Sequence, residues 1–256
     1  MPDVRAVLFD LGDTLWHFPN PPSREERLAC AADRIASTLR AWGRCDGIDC
    51  LALARDIQEE DWRRTRDAYF SHLRSPDFPS MVRELAAARG LVLDDRQAEA
   101  LWYAANPGGI FLRREIFPDS IPTLRWLKAR GYRLATVTNR SLGGSPFREE
   151  LRQHGMLELF DAFAISCDDG WLKPAPQLFL KALDALGVRP EEAVMVGDSL
   201  RADVAGAKAL GMVAVWKRPP APVEEDARLP DGRPAVPDFV IDHPGELQRL
   251  PLFIER

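Results

Sequence analysis

VRAVLFDLGDTLW, residues 4–16, is the stretch whose reading decides the fold. Residues 4–9 (VRAVLF) are a short, β-rich apolar run, which predicts a central buried strand. The run ends on a carboxylate, Asp10. A turn-like Gly12-Asp13 follows, then Thr14 and a second apolar pair. A buried strand that delivers an acid to its own end is informative. Ligands of open parallel sheets bind beyond the carboxyl ends of their strands, so the next question is where the other strands end.

From residue 118 the chain alternates between helical and strand patterns. PDSIPTLRWLKARG (118–131) predicts a helix, with Asp119 or Ser120 as its cap, Pro122 near the first turn and Gly131 as its stop. YRLATVT (132–138), AFAIS (162–166), AVMVG (193–197), MVAVW (212–216) and DFVID (238–242) read as strands. SPFREELRQHG (145–155), PQLFLKALDALG (176–187), RADVAGAKALG (201–211) and HPGELQRL (243–250) read as helices between and after them. In the second of these helices, 176–187, Phe179, Ala182, Leu183 and Leu186 share one face. The proline-rich stretch 218–237 predicts a loop. Such alternation implies right-handed crossovers and a parallel sheet covered on both faces, an α/β fold.

Between about 20 and 106 the pattern is helical throughout. Leu28, Ala32, Ile35 and Leu39 recur at helical spacing, with Gly43 as the stop after Trp42. Further helical stretches hold Leu53, Ile57 and Trp62; then Val82 and Leu85, up to Gly90; then Ala98, Leu101 and Trp102, up to Asn106-Pro107. The expected organisation is a Rossmann-like core of residues 1–16 and 115–256 with an inserted all-helical cap, 17–114.

The predicted strand ends carry Asp10, then Thr138 and Asn139, then Lys173 on the loop after the third strand, then Asp198 with Asp203 following. Three acids on one edge repel one another and are partly protonated unless a cation sits among them. Hard carboxylate oxygens favour Mg2+. Lys173 adds a second positive charge, and Thr138 a hydroxyl, so the set suits a dianionic phosphomonoester. An aspartate can itself attack phosphorus and form an acyl phosphate that water then cleaves.

The motifs FDLGDTL (9–15), VTN (137–139), LKP (172–174) and VGDSLRADVAGAKALGM (196–212), in that order, resemble the haloacid dehalogenase superfamily, in its branch with a helical cap inserted after the first motif. The resemblance implies that Asp10 is the nucleophile. It implies that the Gly12 carbonyl, Asp10 and Asp198 hold magnesium, with Asp203 supporting the metal or the lysine. Thr138 and Asn139 would then bind the phosphoryl group, Lys173 would steady both nucleophile and phosphate, and hinges near 15–20 and 107–118 would close the cap. Phosphatases of that family usually carry aspartate two residues after the nucleophile, where it protonates the leaving oxygen. This chain has Gly12 there and Asp13 one place later.

That departure leaves three readings. One is a phosphatase whose leaving group needs little protonation, or whose proton comes from Asp13, His17 or a cap residue. A second is a 2-haloacid dehalogenase-type hydrolase, whose halide leaves unprotonated. The third is a non-catalytic relative that binds a phosphorylated ligand or a protein. The first is favoured, because Asp198 and Asp203 would set uncompensated charge beside a neutral carbon. Trp16 and His17 read as hinge packing, and Arg140 as a surface residue.

The bulk numbers agree. Of 256 residues 46% are hydrophobic and 29% charged, as in ordinary globular chains. A net charge of −5 disfavours a nucleic-acid partner, and no apolar run approaches the length of a membrane span. The N-terminus enters a strand at once, which predicts no signal peptide. Cys30, Cys45, Cys50 and Cys167 form no CxxC, which points to reduced thiols and a cytoplasmic protein. The expected partner is a small phosphorylated metabolite: a sugar phosphate, phosphoglycolate, a nucleoside monophosphate or an amino-sugar phosphate.

Overall fold

Strand β1 (Ala6–Phe9) is wholly buried, and its alternate residues feed two cores. Val7 and Phe9 pack with Leu124, Leu134, Phe147 and Leu247. Ala6 and Leu8 pack with Ala135, Leu178, Phe179 and Met195. The description rests on a computed structural model and covers residues 3–221 and 227–253. Residues 222–226 of the expected proline-rich loop lie outside the described residues.

The chain divides into two units, 1–18 with 115–256, and 19–114. The first is built on a six-stranded sheet. Its strands are β1, β4 (Arg133–Thr138), β5 (Ala162–Ile165), β6 (Ala193–Gly197), β7 (Val213–Lys217) and β8 (Phe239–Ile241), in the order β5-β4-β1-β6-β7-β8. Every neighbouring pair is parallel. The chain steps outward from β1 through β4 to β5, then returns across β1 to β6. That reversal opens the crevice where such sheets bind ligands. A two-stranded antiparallel ribbon of β2 (Trp16–His17) and β3 (Glu115–Ile116) stands where the chain leaves this unit and returns to it.

Helices α5 (Ser120–Ala129), α6 (Gly144–Gln153), α7 (Ser166–Asp169), α8 (Pro176–Leu186) and α9 (Ala205–Ala209) connect these strands. Three expectations need correction. Neither Asp119 nor Ser120 caps α5 through its side chain. Asp119 accepts the Gly245 N–H at 2.6 Å, and the Ser120 hydroxyl donates to the Leu15 carbonyl at 2.8 Å, so both fasten distant segments. The helix expected over 201–211 opens with a wide π-type turn, Leu200–Val204, in which the Ala205 N–H reaches back to the Leu200 carbonyl. The helix expected over 243–250 is a 3-10 turn, Pro244–Arg249.

The second unit holds α1 (Arg24–Ala41), α2 (Cys50–Phe70), α3 (Phe78–Ala87) and α4 (Asp95–Ala105). Each opens on a side-chain cap, Ser23, Asp49, Asp77 and Asp94 respectively. Ser23 with Glu26 and Asp94 with Gln97 form reciprocal capping boxes. Ile35, Leu39, Leu53, Ile57, Leu101 and Trp102 are buried, and Phe78 stacks on Trp102 at 4.5 Å. Among the described residues no helix is long and apolar enough to cross a membrane.

Candidate active site

The Asp10 amide donates to the Val196 carbonyl at 2.9 Å, so the pairing of β1 with β6 continues one residue past the strand. The chain then turns tightly. The Leu11 carbonyl accepts the N–H groups of Leu15 at 2.8 Å and Trp16 at 3.1 Å. Asp13 adopts a left-handed conformation, φ +48°. This turn holds the Asp10 carboxylate at the sheet edge, 7% exposed.

Lys173 meets it there. Its Nζ donates to Asp10 Oδ1 and to Asp203 Oδ1, both at 2.6 Å, and the side chain is 2% exposed. Burial alone would lower the lysine's proton affinity, but Asp10 and Asp203 more than offset it and hold the ammonium charged. Asp203 is equally enclosed, and its Oδ2 accepts the Ser199 N–H at 3.0 Å. Burial pushes the Asp203 carboxyl up, against the pull of Lys173. Burial also pushes Asp198 up, and the neighbouring charges of Asp10 and Asp203 add to it.

Local sequence explains this packing. A Cβ on Gly197 would lie 2.2 Å from Asp203 Cγ, so the strand before Asp198 must end on glycine. The wide turn after Ser199 folds the Asp203 carboxylate back across that glycine; single π-type turns of this kind recur at functional sites. Asp198 is fixed from two sides. Its Oδ1 accepts the Thr14 hydroxyl at 3.3 Å, and its carbonyl accepts Trp216 Nε1–H at 2.7 Å.

Asp10, Asp198 and Asp203 each offer an oxygen, all within 4.8 Å of one another. Three carboxylates share this pocket with one lysine. Burial is the main cause of the upward push on Asp198 and Asp203, with carboxylate repulsion added to it, and a divalent cation among the three oxygens would oppose both. The donor set therefore fits a hard metal ion.

The remaining expected residues divide. Thr138 is buried at the end of β4, and its hydroxyl has no partner among the described residues. Asn139 spends its amide on Lys173: Nδ2 donates to the Lys173 carbonyl at 3.2 Å, and Oδ1 accepts the Lys173 N–H at 2.7 Å. Asp13 stands outside the acidic trio. Burial raises its carboxyl, against the pull of Lys217 and His17. His17 stacks on Phe117 at 4.5 Å. Arg140 lies over Phe147 at 4.2 Å and pairs with Glu150 at 3.7 Å, as a packed rather than a surface side chain. Gly12 is unobstructed, since a Cβ there would meet nothing within 4 Å.

Lys217 is the residue that sequence reasoning missed. Its Nζ donates to the Asp13 carbonyl at 2.7 Å and sits 4.0 Å from the centroid of the Phe117 ring. Buried at the end of β7, it fastens the turn that carries Gly12 and Asp13. The one sequence signal was a lysine closing an otherwise apolar strand.

The family model for haloacid dehalogenase-like hydrolases matches residues 4–211. A glyceraldehyde 3-phosphate phosphatase of Methanopyrus kandleri is 32% identical over 246 residues, 95% of each chain. A ribulose-1,5-bisphosphate 5-phosphatase of Halopiger xanaduensis is 32% identical over 249 residues, 96% of this chain and 98% of that one. The crystal structure of a phosphatase from Thermococcus onnurineus superposes with a TM-score of 0.57 at 29% identity, covering 96% of this chain and 97% of the other.

Proposed function

The chain belongs to the haloacid dehalogenase-like hydrolases, and we propose that within them it is a magnesium-dependent phosphatase of a small sugar phosphate. The observation that carries this reading is Lys173 Nζ held 2.6 Å from both Asp10 and Asp203 in a buried pocket. A lysine so placed neutralises a nucleophilic carboxylate without occupying its second oxygen.

In this reading Asp10 attacks the phosphorus, the ester P–O bond breaks, and its electron pair leaves with the alcohol oxygen, which takes a proton. Water then attacks the phosphorus of the acyl phosphate, giving inorganic phosphate and the free Asp10 carboxylate. Thr138 offers its unpartnered hydroxyl to a phosphoryl oxygen, and Lys173 donates to the same group as charge moves onto it. Asn139 acts through Lys173, whose backbone it grips at both ends. Asp10, Asp198 and the Gly12 carbonyl would hold Mg2+, with Asp203 beside them. The ion would neutralise charge between the nucleophile and the incoming dianion. Residues 17–114 supply the cap.

The glyceraldehyde 3-phosphate and ribulose-1,5-bisphosphate phosphatases named above act on alkyl phosphates, whose alkoxide needs a proton on leaving. With glycine at position 12, the nearest carboxyl along the turn is Asp13, half-enclosed and raised by that burial, and we assign it the proton. Dehalogenation is the weaker reading, because a neutral carbon would leave three carboxylates facing one lysine.

The test is phosphate release from glyceraldehyde 3-phosphate, other sugar phosphates and p-nitrophenyl phosphate, with Mg2+ and with chelator. Turnover of a sugar phosphate that disappears with chelator is the expected result. Halide release from 2-haloacids that survives the chelator would replace this reading with the second one.

A further inference from the structure

A cavity of about 640 Å³ opens on the helical unit, between the first turns of α1 and the middle of α2. Its size suits one small metabolite. Arg24, Arg27, Arg55 and Arg63 line it, against the single carboxylate of Glu59. A chain of net charge −5 thus concentrates positive charge here.

The arginines are not equivalent. Arg24 is paired with Glu59 at 2.6 Å, and Arg63 with Glu60 at 2.6 Å. Arg27 donates to the Pro22 carbonyl and has no carboxylate partner among the described residues. Arg55 has neither a hydrogen-bond nor an ion-pair partner among them, although Glu59 stands one helical turn away. An ordinary solvated helix face pairs its charges at such spacing, as Glu60 does with Arg63 and Arg64. Here Glu59 is drawn to the other helix instead, which leaves the Arg55 guanidinium and the Arg27 nitrogens not bound to Pro22 for an anion.

The wall beside them is aromatic. Trp62 is 64% exposed, an unusual outlay of ring surface on a helix. It shares the α2 face with Gln58 and Arg55, one and two turns away. Arg66 lies 5.1 Å from its ring centroid.

We propose that this cavity is a binding site for a small organic anion that carries a planar ring, of the nucleoside phosphate class. Arg27 and Arg55 take the anionic end, and Trp62 stacks on the ring. The site belongs to the helical unit alone and does not depend on the phosphatase reading.

The test is calorimetric titration of the full-length protein with ADP in excess chelator, which keeps metal out of the sheet-edge site. Pyrophosphate and adenosine serve as the two halves of the probe. ADP binding that weakens tenfold or more in Arg55→Gln and in Trp62→Ala, and is unchanged in Asp10→Asn, is the expected result. Pyrophosphate binding should depend on Arg55 but not on Trp62. No heat with ADP up to about a millimolar would overturn the proposal, and so would binding indifferent to both substitutions or binding lost in Asp10→Asn. Arg55 and Trp62 are both exposed, so neither substitution threatens the fold.

Discussion

At the sheet edge, Lys173 is enclosed between Asp10 and Asp203. In α2, Arg63 reaches Glu60 and Asp67 across open helix surface. The residue types and distances are alike; only the surroundings differ. An exposed pair contributes at most about 1 kcal/mol. An enclosed one must offset desolvation of both ions, and apolar residues would serve stability as well or better. Charge kept where it is costly to keep therefore marks chemistry, whereas charge on the helical surface needs no such explanation unless, as at Arg55, it has no partner among the described residues.

The contrast is broken most strongly at Lys173. Lys173→Met removes the one cation from among three carboxylates. Activity should fall ~10²–10³-fold in kcat, and stability by ~3–5 kcal/mol, because two buried acids lose their partner. Steady-state kinetics and denaturant unfolding read the two effects. Gly197→Ala comes next. Its added Cβ meets Asp203 at 2.2 Å, and displacing that carboxylate should lower kcat by about 10²-fold while the overpacking costs ~1–3 kcal/mol. An alanine enzyme of parental activity would show that Asp203 does not need its observed position.

Gly12→Asp sharpens the comparison in the other direction, by adding an acid where space is free. Turnover should rise about tenfold or more on alkyl phosphates and much less on aryl phosphates, whose phenolate leaves without help. An equal or absent gain would show that proton donation from Asp13 does not limit turnover.

On the helical surface the effects should be small. Glu60 is held near pH 2 by the Arg63 hydrogen bond, against burial, with Arg64 adding to it. Its folded-state value is depressed below the ordinary 4.5, so its contribution is present above that value and is lost as pH falls from about 4.5 towards 2. Glu60→Gln should therefore cost under about 1 kcal/mol at neutral pH, lose its penalty in acid, and leave kcat unchanged. Thermal melts at pH 7 and pH 2.5 measure this.

Most of the sheet was legible in the sequence because its strands are buried on both faces and read as unbroken apolar runs. The candidate site residues Asp10, Thr138 and Asp198 lie at strand ends, and Lys173 on the loop beyond β5, the positions at which the strand pattern singles out polar groups. What escaped depends on long-range partners. Lys217 looks like a solvated strand end until its contact 204 residues away with Asp13 is seen. Asn139 reads as a ligand for phosphate, but its amide is taken by Lys173. Asp119 has the identity of a cap, yet it satisfies Gly245 instead. The ribbon of Trp16–His17 with Glu115–Ile116 is too short to show periodicity.

The central claim is that Asp10 becomes covalently phosphorylated. Acid quenching during turnover of glyceraldehyde 3-phosphate with Mg2+, followed by mass spectrometry of the peptide around residues 4–16, tests it directly. The account predicts a phosphoryl group on Asp10 in the parent, and neither adduct nor phosphate release in Asp10→Asn. Undiminished phosphate release by Asp10→Asn, or a phosphoryl group on any other residue, would contradict it.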